Sequence, residues 1–338
     1  MTVRANKPAF NIREKLKELT QSIGLKGREL MRAETAQEAR DLVSAGRRNL
    51  IINGNMSVRQ RGTSATIDNN YGCVDRWYKY ANGDTSTWSQ ATDSVHGTYV
   101  RWDANSSGYG NIRQRIEGFH VPTEGINYTA SFWMKIDSGS CPLRYEIWNI
   151  TDNDLIKGDN QHDTLTTEWK KYTINFRLNS DDSEDNWHFM VGSNDAPAGV
   201  TFYLTKVQIE RGDNATDFEH RSYGEELALC QRYYILHAAA AASRPICTAA
   251  AYGTTRAFGV VHLPVPMRTA PSVVATSGPN NFYFFTNSNG GAGFSTLTLQ
   301  ETSVHSVTVE TSNSLSVISG HAGWIRANVG ALAFNAEI

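Results

Sequence analysis

Three observations in the sequence predict a mainly β protein. Apolar and polar residues alternate over long stretches, clusters of Gly, Asn, Asp and Ser break those stretches at short intervals, and aromatic residues are plentiful, with 8 Trp, 14 Tyr and 13 Phe in 338 residues. Alternation with period two lines one face of a strand with apolar side chains, and the clusters are turn formers. The expected order is a short N-terminal helical segment (1–46), an antiparallel jelly-roll β-sandwich (47–222) and a smaller C-terminal antiparallel β-sandwich (223–338).

The first segment reads as helix. Ile12, Leu16, Leu19 and Ile23 are spaced to form one apolar stripe, with Asn11 as N-cap and Gly24 as stop. Such a helix is about 20 Å long and does not hold itself together in water, so its stripe needs a partner. A second helix opens on the capping box Thr35-x-x-Glu38 and ends at Gly46. The four stripe residues are therefore expected to serve attachment and oligomerisation, the alternative being that residues 1–46 cover the flank of the next domain.

In "YTASFWMKI" the residues Tyr128, Ala130, Phe132, Met134 and Ile136 share one side, and in "KYTINFRL" Tyr172, Ile174, Phe176 and Leu178 do. Many short alternating runs separated by turns argue for a jelly roll. "SYGEELALCQRYYILH" reads as a turn or two of helix running into a strand, followed by an alanine-rich link. A second β-region is expected from about Gly253, with strands in "AFGVVHLPVP", "APSVVATS", "NFYFFTN", "STLTLQET", "SVTVET", "LSVISG" and "WIRANVGALAFNAEI". In "NFYFFTN", Phe282 and Phe284 face one way and Tyr283 and Phe285 the other. A thin sandwich does not bury both faces alone, which predicts a neighbouring chain against one of them.

A formal net charge of -2, with Lys and Arg scattered, points away from nucleic acid and anionic membrane. No run of about 18 apolar residues and no export signal is present, so a soluble chain without membrane insertion is expected. Cys73, Cys141, Cys230 and Cys247 are far apart and read as buried thiols rather than as a zinc site or a disulfide framework.

Hydrolysis of a glycan needs two carboxylates roughly 5 to 9 Å apart across a bond. Glu146, Glu168, Asp181, Asp182, Glu184 and Asp185 are available, but the last four share one polar loop, and no nucleophile or metal motif accompanies them. No catalytic residue, metal site or cofactor is assigned. "NITDNDLIKGDNQHD" carries Asp152, Asp154 and Asp159 without the spacing of a calcium loop and reads as a hairpin end.

The candidate binding residues lie opposite the core sides of two strands. Trp133 and Lys135 back the core set of "YTASFWMKI", and Arg144, Glu146 and Trp148 back Leu143, Tyr145 and Ile147. If both strands belong to one sheet, two indoles, two cations and a carboxylate share a surface suited to a sugar. The competing reading buries the indoles beneath the N-terminal helices or at a subunit contact. A sugar site predicts that both are at least half exposed.

"GRELMRAETAQEARDLVSAG" resembles a short module of bacteriophage tail fibres, and "RRNLIINGNMSVRQRGTS" with "CVDRW" resembles the opening of a tail-associated jelly roll. "VQIERGDNATDFEHRSYGEELALCQRYY" is similar to the end of that jelly roll, and "LPVPMRTAPSVV" and "AFNAEI" to the first and last strands of a small fibre-tip domain. The resemblance implies a homotrimeric, receptor-binding tail fibre with a carbohydrate-binding type of jelly roll. Such jelly rolls often hold a structural calcium through an acidic residue in the last strand, where this sequence has Gln208. The function expected is that of a virion protein made in the host cytoplasm. It would join other tail proteins through its N-terminal segment and adsorb to a host-surface polysaccharide without catalysis. The alternatives are a purely structural fibre or head-decoration protein, and a glycan depolymerase.

Overall fold

The computed structural model describes residues 48–67, 70–80, 86–104, 108–117, 124–159, 163–179, 186–240, 243–287, 291–311 and 315–337. The helical segment expected over 1–46, with Ile12, Leu16, Leu19 and Ile23, lies outside them. Asn49–Ile338 forms one unit built around two apolar cores. It is mainly β, with antiparallel sheets.

The first sandwich has two six-stranded sheets. The first sheet runs, in spatial order, β1 (Ser64–Ile67), β4 (Ser86–Asp93), β5 (Gly97–Asp103), β14 (Thr201–Arg211), β7 (Ile126–Ile136), β12 (Lys170–Leu178). The second runs β10 (Asp154–Asp159), β9 (Arg144–Asn149), β13 (Trp187–Ser193), β6 (Gly110–Ile116), β3 (Tyr78–Tyr80), β2 (Asn70–Tyr71). A short ribbon of β8 (Cys141–Pro142) and β11 (Thr164–Leu165) lies beside them.

Period two decides what these strands bury. Six residues of β7, Ile126, Tyr128, Ala130, Phe132, Met134 and Ile136, and all four apolar residues of β12 lie in the core. Their register sets Phe132 against Tyr172 and Tyr128 against Phe176, so each pair of rings stacks at 5.6 Å. Ile112, Tyr145, Ile147, Phe189 and Val191 fill the core from the second sheet. The acidic stretch after Asn149 closes the β9–β10 hairpin, with Asn149 Nδ2 donating to Asp152 at 3.1 Å.

The junction is α1 (Tyr223–Gln231). Ser222 caps it, its hydroxyl accepting from the Glu225 amide while the Glu225 carboxylate accepts from the Ser222 amide at 3.0 Å, which satisfies two free donors at once. The second sandwich follows. A three-stranded sheet orders β15 (Tyr234–Ala238), β24 (Leu332–Asn335), β18 (Ser272–Ala275). A seven-stranded sheet orders β20 (Ala292–Phe294), β19 (Phe282–Thr286), β23 (Ala322–Ala327), β16 (Arg244–Ala251), β17 (Ala257–His262), β22 (Ser306–Thr311), β21 (Leu297–Thr302).

Two stretches depart from expectation. "RPICTAAA", read as part of an alanine-rich link, is β16 and lies between β17 and β23. Alanine is a poor strand former by itself, so the stretch owes its place to backbone pairing with the strands on both sides. "LSVISG" is not a strand, although Leu315 and Val317 are buried and donate their amides to Thr255 and Thr254 at 3.2 and 3.1 Å.

The two sandwiches are joined by buried charge. Arg76, 1 % exposed, pairs with Glu337, donates to the Arg115 carbonyl at 2.7 Å and lies 3.4 Å from the ring centroid of Tyr233. Arg61 pairs with Glu337 at 3.1 Å and Asp75 at 3.5 Å, and stands 3.6 Å over Tyr234. Burial pushes the Asp75 carboxyl up to about 6 despite Arg61. Breaking one member of such a network costs more than a surface pair, because it strands the other charge out of water. The four cysteines are free thiols, and burial pushes Cys73 and Cys247 up to about 12.

Candidate functional site

On the second sheet the side chains opposite the core form a face laid out by register. One row runs Trp148, His188, Arg115; the next runs Glu146, Met190, Arg113, Tyr78; the third runs Arg144, Gly192, Asn111, Tyr80. The middle of this face is sunken: Asn111 is 0 %, Met190 4 % and His188 7 % exposed although all three point away from the core. Tyr80, Tyr109, Asn111, Arg144, Met190 and Asn194 line a pocket of about 220 Å³ there. Gly192 lies between Arg144 and Asn111 in the third row. With φ 156° and a would-be Cβ 1.9 Å from the Gly110 carbonyl oxygen, the position accepts no side chain.

Four polar atoms on this face are buried without a hydrogen-bond partner among the described residues: Asn111 Oδ1, Arg113 Nε, Arg144 Nε and His188 Nε2. Other atoms of the same side chains are engaged. Asn111 Nδ2 donates to Asn194 Oδ1 at 2.7 Å, Arg144 pairs with Glu146, and the Arg113 guanidinium lies 4.6 Å from the ring centroid of Tyr78 and 5.3 Å from that of Tyr80. Asn111, Arg113 and Arg144 are thus held in place with one function each left unmet, and every such atom costs about 1–3 kcal/mol until something pairs with it. Burial, and then the positive charges of Arg113 and Arg115, hold the His188 imidazole down to about 3. It therefore presents a neutral ring. Donors and acceptors over a thioether floor, between tyrosines and an indole, suit a ligand that is polar at its edges and apolar on its faces.

The five residues singled out in the sequence do not share a surface. Arg144, Glu146 and Trp148 stand on this face, whereas Trp133 and Lys135 are on β7, in the other sheet, and point away from the opposite side of the sandwich. Alternation tells which side of a strand a residue occupies but not which sheet the strand joins. Neither indole is half exposed. Trp133 packs 5.7 Å from His96, which stacks on Trp169 at 4.6 Å, and the Lys135 ammonium lies 5.0 Å from Tyr203 and 5.7 Å from Trp169. Sequence reasoning missed Tyr78, Tyr80, Asn111, Arg113, His188 and Met190. The available signal was the alternation of "NIRQRI" and "WHFMVGS", whose off-core sides carry these polar groups.

The residues at Gln208 do not fit a calcium ion. Gln208 is 0 % exposed, its Nε2 donates to Glu210 Oε1 at 2.7 Å and its Oε1 accepts from the Glu219 amide at 2.8 Å. The Thr216 amide and hydroxyl, both at 2.7 Å, take further lone pairs of Glu210. Neutral donors occupy the place a cation would need. Among the described residues no group of three His, Cys, Asp or Glu could hold a metal.

No protein-family model and no curated protein matches the chain. Among solved structures it is similar to the carbohydrate-binding module CBM4, at 16 % identity and TM-score 0.34 over 47 % of this chain and 98 % of that one. It is similar to the CBM22-1 xylan-binding domain from Paenibacillus barcinonensis Xyn10C, at 13 % identity and TM-score 0.32 over 47 % of this chain and 100 % of that one. A third similarity is to the enzymatically active domain of tailspike protein 4 of bacteriophage CBA120, at 12 % identity and TM-score 0.33 over 49 % of this chain and 22 % of that one.

Proposed function

We propose that the outer face of the second sheet binds a host-surface polysaccharide, and that the protein does so as a homotrimeric tail-fibre component of a phage virion, held to other tail proteins by residues 1–46. The observation that carries the binding is the set of unmet polar atoms on Asn111, Arg113, Arg144 and His188. Sugar hydroxyls both donate and accept, so they pair with a guanidinium Nε, an amide oxygen and a neutral imidazole alike. The virion role rests on the order of fibre-like motifs along the sequence. Three weak sites on one fibre would bind far more tightly than one.

Binding proceeds without cleavage. The carboxylates described on this face are Glu146, paired with Arg144, and Glu117, paired with Arg232 at 3.1 Å. Two strands and four residues separate them, about 16 Å by strand geometry, beyond the spacing of either class of glycosidase. Printed arrays of bacterial surface polysaccharides, probed with the full chain, test the proposal. Retention on at least one polysaccharide, with no new reducing ends, is expected; no retention on any leaves a purely structural role, and reducing ends would make the protein a depolymerase.

A further inference from the structure

The outer face of the seven-stranded sheet carries a trough that the reading above leaves unused. The geometry points to a second saccharide site there, seating one pyranose ring against Trp324. Phe285 stands opposite Trp324 and Tyr283 opposite Arg326, on the side away from the core that Phe282, Phe284 and Ile325 fill. The rings of Phe285 and Trp324 stack at 5.4 Å and 14°, and the Arg326 guanidinium lies 4.3 Å from the Phe285 centroid. Phe285, on one of the two faces expected to meet a neighbouring chain, is half-buried within its own chain. Gly323 permits the arrangement, since a Cβ there would come within 1.9 Å of the Phe285 carbonyl oxygen.

This stack holds the indole upright. Trp324 is 48 % exposed, and among the described residues Phe285 is the one ring packed on it. Beside it the floor is small: Thr248 lies opposite Trp324, and Ala250 lies between Ala322 and Phe258, with Thr248, Ala250 and Ala322 all exposed. Phe258 forms the far wall, braced edge-on by Tyr252 at 5.5 Å. Two strand spacings, about 10 Å, separate β17 from β23.

The charges around the trough select the occupant. Glu310 lies opposite Phe258 and pairs with Arg256 at 3.0 Å, and Arg326 Nε on the same face is buried with no hydrogen-bond partner among the described residues. A purely apolar partner would leave Arg326 Nε and the Thr248 hydroxyl without pairing. A pyranose offers a C–H face to the indole and hydroxyls to the polar rim. This site lies on the other sandwich, and neither reading rests on the other.

Saturation-transfer NMR on the full chain, with the methyl glycosides of glucose, galactose and mannose as probes, tests it. Transfer to the C–H protons of one ring face is expected for at least one glycoside, retained in Arg113→Ala and weakened about tenfold in Trp324→Ala. Ala250→Leu, which fills the floor and keeps the indole, should weaken it as much, so the result does not hang on how Trp324→Ala folds. Absence of transfer for all three glycosides, or transfer unchanged in both variants, overturns the inference. So does self-association in sedimentation that Trp324→Ala abolishes, which would make the face a contact between copies.

Discussion

The two outer faces of the first sandwich draw on the same residue types, aromatic rings and cations, and end in opposite conditions. On the first sheet the groups satisfy one another: His96 stacks on Trp169, Tyr99 lies 5.8 Å from both Trp169 and Tyr203, and the Lys135 ammonium lies over Trp169 and Tyr203. On the second sheet Arg113 also lies against tyrosines, but its Nε and three neighbouring polar atoms are left without partners among the described residues. Indoles and cations together therefore do not by themselves tell the two faces apart. What sets the second sheet's face apart from the first is a cluster of four unmet polar atoms, which folding alone gives no return for holding.

The largest expected effect falls on the satisfied face. Trp169→Ala should lower folding stability by about 3 kcal/mol, since it removes the ring that His96, Tyr99 and Lys135 pack on, and should leave polysaccharide binding unchanged. Thermal melting with a binding isotherm checks this; unchanged melting with lost binding would reverse the roles of the two faces. On the other face, Arg113→Ala should cost about 2 kcal/mol of binding, as expected for a hydrogen bond from a charged donor, with little change in melting temperature. If Arg113→Ala melts far lower, the residue is structural and the contrast between the faces weakens.

His188 adds a pH dependence that is smaller than either effect over a single pH unit. Its folded value of about 3 lies below the ordinary 6.5, so between those values the unfolded chain takes up a proton that the fold refuses, and stability falls as pH falls. The loss is about 1.4 kcal/mol per pH unit below 6.5. Asp75 works the other way, because its folded value of about 6 exceeds the ordinary 3.8 and acidification through that window favours the fold. In the wild type the two slopes oppose each other below pH 6. In His188→Gln the Asp75 slope stands alone, so this variant should gain on the wild type in urea titrations as pH drops from 6 toward 4. Parallel pH profiles would contradict the buried, neutral imidazole. The smallest effect is a null one: millimolar calcium should leave the melting temperature unchanged, since Gln208 and Thr216 already supply donors to Glu210. A rise would put a cation at that site.

Much of the fold was legible because one face of each strand is buried: β7, β12, β17 and β19 announce themselves by alternation. β16 did not, since its alanines carry little strand signal and derive their place from the strands on either side. The site was legible in part. Arg144, Glu146 and Trp148 could be placed off the core from their own strand, but joining them to Trp133 required knowing that β7 pairs with β12 and β14 while β9 pairs with β10 and β13. That is long-range pairing, which local pattern does not encode. Nor could the sequence distinguish the unmet nitrogen of Arg113 from the shared ammonium of Lys135, because the difference lies in what surrounds them.

Hydrogen–deuterium exchange of the full chain with and without a bound polysaccharide tests the central claim most directly, because it reads which sheet the ligand covers. The account predicts new protection in peptides spanning 110–116, 144–149 and 187–193, with none across 97–103, 126–136 or 170–178. Protection confined to the latter three would contradict it, and would move the binding face to Trp133, Lys135 and Trp169 on the first sheet.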